Sequence, residues 1–351
     1  MTVSDSRTIS VALQGGGADG AFGWGALDRI LEDQRIDIEA LTGTSSGAVN
    51  AALAAYGMMD GGREGARALL ESFWRELSRA FREHPWSKVS LLRILLTLRR
   101  GPLSQRTFME LMGRLASPYR LDPETMDPIR SVIDQHIDFE KLRADSSVKL
   151  FVNATDVRTG DVRIFDRSEI SLDAICASAC IPLLFEPVRI GQEAYWDGGY
   201  LGNPPIFPLI YHASTSDILL IRTGPVGAQA LPRTPTELLE RVFEVTFSST
   251  FVREMRAIEL ISRLVTEEKI GPDAGVRDIR THLIGAEKSP DASDSPSKLN
   301  PDWESIERNR DRGYEAADRW LAESFHDIGQ RTTADLQSLS LASPEITPRR
   351  S

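Results

Sequence analysis

Three glycine-rich stretches carry the residue types best suited to chemistry: GGGADG at residues 15–20, GTSSG at residues 43–47 and DGG at residues 197–199. Each alone is weak, because short Gly, Ser and Asp motifs usually mark turns. Position strengthens them. GTSSG follows an apolar run and precedes the small, helix-compatible AVNAALAAYG, the strand–turn–helix setting of a nucleophile elbow. Ser45 is the middle residue and is projected at the tip, with Ser46 as its neighbour; Gly43 and Gly47 remove side chains where backbones must approach closely. A serine hydroxyl attacks a carbonyl well only when a base takes its proton. None of the histidines, His84, His136, His212, His282 and His326, lies in a Gly-rich or strand-end motif, and structural roles are expected for His212 and His282. Asp197 is better placed: it follows the strand-like AYW and precedes Gly198 and Gly199, which let the backbone turn away. An aspartate with an ordinary pKa of about 3.9 is ionised at neutral pH and able to accept a proton. A Ser45–Asp197 dyad is chemically sufficient.

The first stretch has two readings. Gly15, Gly17 and Gly20 form G-x-G-x-x-G between an apolar run and a helical pattern, the context of a dinucleotide-binding turn. Asp37 and Glu39 stand at about the distance where that site wants an acid, but at the start of the next strand rather than its end, which GTSSG occupies. The run Gly15, Gly16, Gly17 also exposes successive main-chain N–H groups suited to a single oxyanion. The second reading is preferred, and the first stays open.

The elements that must position these residues alternate. Residues 9–13 read as a strand, 21–31 as a helix and 38–41 as a second strand. Residues 65–136 are helical in pattern, broken by prolines at 85, 102, 118, 123 and 128. VKLFVNATDV and VRIF, separated by RTGD, read as a hairpin or adjacent strands, as do PVRI and EAYW around Gly191 and Gln192. A short helix is expected over 171–180, buried strands over 218–223 and 281–285, and amphipathic helices over 236–269 and 302–325. Strands alternating with helices imply an α/β layered fold with a helical insertion at about residues 60–140 and a helical C-terminal part at about 234–328. Residues 331–351 are Ser, Thr and Pro-rich without period, and disorder is expected there, which leaves one catalytic domain over 1–330.

Of 351 residues, 41% are hydrophobic and 26% charged, the composition of a globular protein; the net charge of −10 disfavours general nucleic-acid binding. Cys176 and Cys180, four apart, suit small buried hydrophobes better than a disulfide framework, and two thiols make no zinc site unaided. The N-terminal residues lack the pattern of a secretory signal, and no apolar run is long enough to cross a bilayer. A cytoplasmic protein is expected.

In their order, these motifs resemble the patatin-like phospholipase family: a Gly-rich oxyanion loop, G-x-S-x-G some 25 to 30 residues later, and a distal D-G-[GA] aspartate. NATDVRTG, ASACIPLLF and DGGYLGNPP extend the resemblance, which spans residues 9–223. It implies a three-layer α/β/α fold with a mostly parallel central sheet, and a serine acyl hydrolase of phospholipids or related lipids. It further implies Ser45 as nucleophile, Asp197 as general base, the amides of Gly15, Gly16 and Gly17 as oxyanion hole, and Gly20, Gly43, Gly47, Gly198 and Gly199 in support. No cofactor or metal is implied. One position departs: the family usually has Arg or Lys where this chain has Asp19, which opposes developing negative charge unless it points away. Alternative readings are a non-lipid carboxylesterase or polyester depolymerase, and a catalytically weak lipid-binding or regulatory protein.

Between residues 75 and 120 lie ten Lys and Arg against three Glu, with Trp74, Phe81, Trp86 and LLRILLTL nearby. This suggests an interfacial helical lid docking on anionic lipid; the competing reading is an apolar face in the core and a solvated charged face.

Overall fold

The computed structural model describes residues 6–83, 127–144, 147–182, 185–224, 231–233, 235–270, 276–286 and 302–334. Its centre is an eight-stranded sheet of order β5-β6-β3-β2-β1-β7-β8, with β4 also paired to β3. The strands are β1 (Arg7–Leu13), β2 (Ile36–Gly43), β3 (Lys149–Asp156), β4 (Val162–Asp166), β5 (Val188–Ile190), β6 (Glu193–Asp197), β7 (Asp217–Arg222) and β8 (Arg280–Gly285). β3, β2, β1, β7 and β8 pair in parallel; β4, β5 and β6 join antiparallel. The expected hairpins are β3–β4 and β5–β6.

The helices are α1 (Gly20–Glu32), α2 (Ser46–Glu83), α3 (Asp127–His136), α4 (Phe139–Ala144), α5 (Leu172–Ser178), α6 (Phe207–His212), α7 (Pro235–Thr266) and α8 (Trp303–Ser324). Strand residues alternate between two cores, as a pleated strand requires. Val11, Leu13, Leu41, Leu150, Leu219 and Ile221 pack with α1, α2, α5 and α8 on one side. Ala12, Ala40, Phe151, Ile218 and Leu220 pack with Leu209 of α6 and Phe251, Met255 and Ile258 of α7 on the other. Helices on both faces of a largely parallel sheet make the three-layer α/β/α architecture.

α2 is longer than the sequence pattern suggested and breaks once, at Gly61 and Gly62; Gly62 has φ 65°, a backbone that favours glycine. Trp74, left open between an interfacial lid and an apolar core face, belongs to the core. It is 2% exposed, stacks on Trp24 with ring centroids 6.4 Å apart and donates its indole N–H to Asn50 Oδ1. The reason is periodicity: Leu70, Phe73, Trp74 and Leu77 fall on one face of α2 and are buried together. The rest of the basic segment from residue 84, with Trp86 and LLRILLTL, lies outside the described residues, as do His84 and the tail from residue 335. Cys176 and Cys180 are buried free thiols, pushed up to about 11 and about 12 by that burial.

Candidate active site

Ser45 sits where β2 turns into α2. It has φ 54°, the left-handed region that a side chain adopts at a cost. That strain is held from several sides. The Ser45 amide donates to Ser178 Oγ at 2.9 Å, the Gly47 amide to the Thr44 carbonyl at 2.8 Å, and the Thr44 amide to the Leu13 carbonyl at 3.3 Å. Gly47 is required by close approach: a Cβ there would lie 2.2 Å from the Leu13 carbonyl oxygen. The helix N-terminus is thereby pressed against the end of β1, one strand away.

Asp197 reaches the same place by register. Gly43 pairs with Val152 across β2 and β3, and Ala154 pairs with Asp197 across β3 and β6. The antiparallel β6 thus ends two residues past the level of Gly43, which is the level of Ser45. Asp197 is 2% exposed, and its Oδ1 accepts from the Gly199 amide at 2.7 Å. Burial pushes the carboxyl up to about 7, against the Gly199 amide and the nearby Ser45 hydroxyl, which pull it down.

The glycine loop follows β1. Gly15 packs on the nucleophile turn, where a Cβ would meet the Thr44 carbonyl oxygen at 2.4 Å and Ser45 Cβ at 2.7 Å. Its amide donates to Asn203 Oδ1 at 2.8 Å, and the Gly16 amide donates to Ser46 Oγ at 3.1 Å. These are two of the three amides expected to face one oxyanion. Both are committed to side chains of the protein, and the Gly17 amide alone of the three has no acceptor among the described residues. A desolvated amide takes the nearest acceptor, and a serine beside the nucleophile and an asparagine six residues past Asp197 supply it.

The three motifs that the sequence singled out are thus brought together at the ends of β1, β2 and β6. A matching pattern decides the family. The patatin-like phospholipase family matches residues 11–210.

The chain belongs to that family.

Lipid acyl hydrolase is the enzyme class that goes with it. No curated protein sequence matches this patatin-like chain. Among solved structures it is similar to VipD from Legionella pneumophila, at 14% identity and TM-score 0.41, covering 91% of this chain and 67% of that one. It is also similar to ExoU in its heterodimeric complex with SpcU from the type III secretion system of Pseudomonas aeruginosa, at 19% identity and TM-score 0.38, covering 90% of this chain. The alignment takes in 52% of the ExoU chain, so this chain spans about half that length.

The patatin-like motifs account for only part of the site. Asn153, fully buried in β3, is its central brace: its Nδ2 donates to the Gly198 and Gly202 carbonyls, both at 2.9 Å. Thr44 Oγ1 lies 2.7 Å from both Asn153 Oδ1 and the Gly202 carbonyl, donating to one at a time. Sequence reasoning assigned no role to Asn153, Ser178 or Asn203. The signal for Asn153 was there, a lone asparagine inside the apolar strand VKLFVNATDV; Ser178 and Asn203 carried none beyond their place in the resemblance. Ser46, set aside as the nucleophile's neighbour, in fact holds the glycine loop. Asp19 turns its carboxylate toward α8, where Asn309 Nδ2 donates to it at 3.4 Å. His282, fully buried, is engaged by Asp217 and Thr333. Among the described residues no three His, Cys, Asp or Glu side chains are grouped as metal ligands.

Proposed function

We propose that this protein is a serine acyl hydrolase cleaving acyl esters of phospholipids or related lipids through Ser45 and Asp197. One observation carries it: a strained serine close enough to a buried carboxylate to pull down a pKa that burial holds at about 7. A base with that affinity takes a proton readily and gives it back. Ser45 Oγ attacks the acyl carbon while its proton passes to Asp197. The carbonyl oxygen becomes an oxyanion beside the glycine loop, where the Gly17 amide donates. Collapse breaks the ester bond, and Asp197 returns the proton to the departing alcohol. Water then attacks the acyl-Ser45 ester, its proton going to Asp197 and on to Ser45 as the acid leaves. On this reading the protein works in the cytoplasm, at a lipid surface, with the basic segment over residues 75–120 touching anionic membrane; flotation with anionic and zwitterionic vesicles tests that contact, and equal binding to both overturns it.

The commitment of the Gly15 and Gly16 amides, with Asp19 in the loop, favours a second reading as a catalytically weak lipid-binding protein. One experiment separates the two: labelling with a fluorescent fluorophosphonate beside hydrolysis of p-nitrophenyl butyrate in EDTA. Wild type should label and turn over, and Ser45→Ala should do neither. A folded wild type silent in both tests, with and without phospholipid vesicles, supports the second reading.

A further inference from the structure

Three half-exposed aromatic rings stand beside Asp197 and take no part in the proton transfers above. Gly199 joins them to the site. A Cβ on Gly199 would lie 2.2 Å from Phe247 Cδ1 and 2.9 Å from Asp197 Oδ1, so ring and carboxylate flank the same backbone atom. The Phe247 ring then meets Tyr200, with centroids 5.0 Å apart, and Phe243, one turn earlier on α7, at 5.9 Å with the planes 9° from parallel. The same stripe of α7 continues into Phe251 and Met255, which are 1% and 3% exposed in the core. Toward the site the stripe leaves the core while remaining aromatic: Phe243, Phe247 and Tyr200 are all half-buried.

Contiguous exposed aromatic surface is uncommon without a function. Here its position says what it meets. It starts at the Asp197 carboxylate, level with Ser45, so a group joined to a carbonyl at Ser45 passes next to it. It presents rings and one neutral phenol, whose ionisation burial and the Asp197 charge push up to about 12. Arg241 and Glu244, nearby on α7, are paired with each other at 2.7 Å. Such a face rewards methylenes and offers nothing to a charged headgroup.

We propose that Tyr200, Phe247 and Phe243 form the acyl-chain subsite and select long chains over short ones, a proposal that rests on Ser45 and Asp197 being the reacting pair. The test compares wild type, Phe247→Ala, Phe243→Ala and Phe247→Leu on p-nitrophenyl laurate and butyrate, with circular dichroism and melting curves checking the fold. The laurate-to-butyrate ratio of kcat/KM is expected to fall about tenfold in Phe247→Ala, less in Phe243→Ala, and to recover in Phe247→Leu. A ratio equal to wild type in both alanine variants overturns the proposal. A second arm needs no turnover: cis-parinaric acid, a long-chain fluorescent fatty acid, is titrated into Ser45→Ala and into Ser45→Ala/Phe247→Ala. A Kd raised about tenfold in the double variant supports the subsite, and equal Kd values overturn it. The arms keep the failures apart. A wild type that hydrolyses neither ester while fatty-acid binding depends on Phe247 sinks the hydrolase reading and keeps the chain subsite; normal turnover with an insensitive ratio does the reverse.

Discussion

Thr44 Oγ1 and Asn153 Oδ1 lie 2.7 Å apart, across 109 residues of sequence, and the other end of the same amide donates to the Gly198 carbonyl. One side chain therefore joins the residue before Ser45 to the residue after Asp197. Neither turn can shift without breaking a buried hydrogen bond.

Asn153→Ala removes this brace, taking one donor from each of the buried Gly198 and Gly202 carbonyls and leaving a cavity in β3. The expected cost is about 2–3 kcal/mol of stability in urea unfolding. In the folded fraction kcat should fall at least about tenfold with KM little changed, because the two reacting groups are displaced relative to each other rather than the substrate.

The pH profile follows from Asp197, whose carboxyl burial has pushed up to about 7. Asp197 accepts a proton only when ionised, so kcat/KM for a soluble ester should rise through about pH 7 and then level off. Rates measured across the neutral range check this. A plateau extending unchanged well into acid would assign the proton transfer to another group.

The same raised pKa predicts a stability effect. The folded state holds the Asp197 proton more tightly than the unfolded chain does, so its stabilising contribution is complete below the unfolded pKa and is lost as pH rises through about 7. Asp197→Asn keeps an acceptor for the Gly199 amide without the buried charge. It should therefore be more stable than wild type at mildly alkaline pH, by on the order of 3 kcal/mol, with the gap closing toward about pH 4. Urea midpoints at the two pH values measure it, and a variant less stable at both would contradict the account.

Ser46→Ala frees the Gly16 amide from its present acceptor. Where that amide serves the oxyanion, labelling by a fluorophosphonate should quicken about two- to tenfold, the worth of one competing hydrogen bond. A slower rate would mean that Ser46 supports the loop in the reactive state.

Gly47→Ala tests the packing of the elbow. The added methyl would stand 2.2 Å from the backbone oxygen of Leu13, which has no rotamer to yield. A loss of about 3 kcal/mol or more is expected in thermal or urea unfolding, together with loss of labelling at Ser45.

Much of the fold was legible because its signals are local. The alternation of β1 and β2, the turn between β3 and β4 and the amphipathic spacing of α7 and α8 are properties of neighbouring residues, and each of these elements appears within a few residues of its place. The candidates Ser45 and Asp197 were legible for the same reason, since a nucleophile elbow and a strand-end carboxylate are written in five consecutive residues or fewer. Trp74 stayed open between two readings because an aromatic among basic residues reads alike on a core face and on a lipid-facing one; only the neighbours Trp24 and Asn50 distinguish the two.

What the amino-acid order determined by itself was the inventory: which residues are the candidate nucleophile and carboxylate, where a run of glycine amides falls, and which segments form strand or helix. The tertiary structure alone decided how these meet. Asp197 stands level with Ser45 because β6 joins β3 antiparallel in a particular register. The pKa near neutrality arises from the burial of the carboxylate, which exists only in the folded chain. The assignment of the Gly15 and Gly16 amides to Asn203 and Ser46 also spans the chain. Hydrogen bonding and desolvation depend on distances between atoms in space, and those distances are set only when the layers close on the sheet.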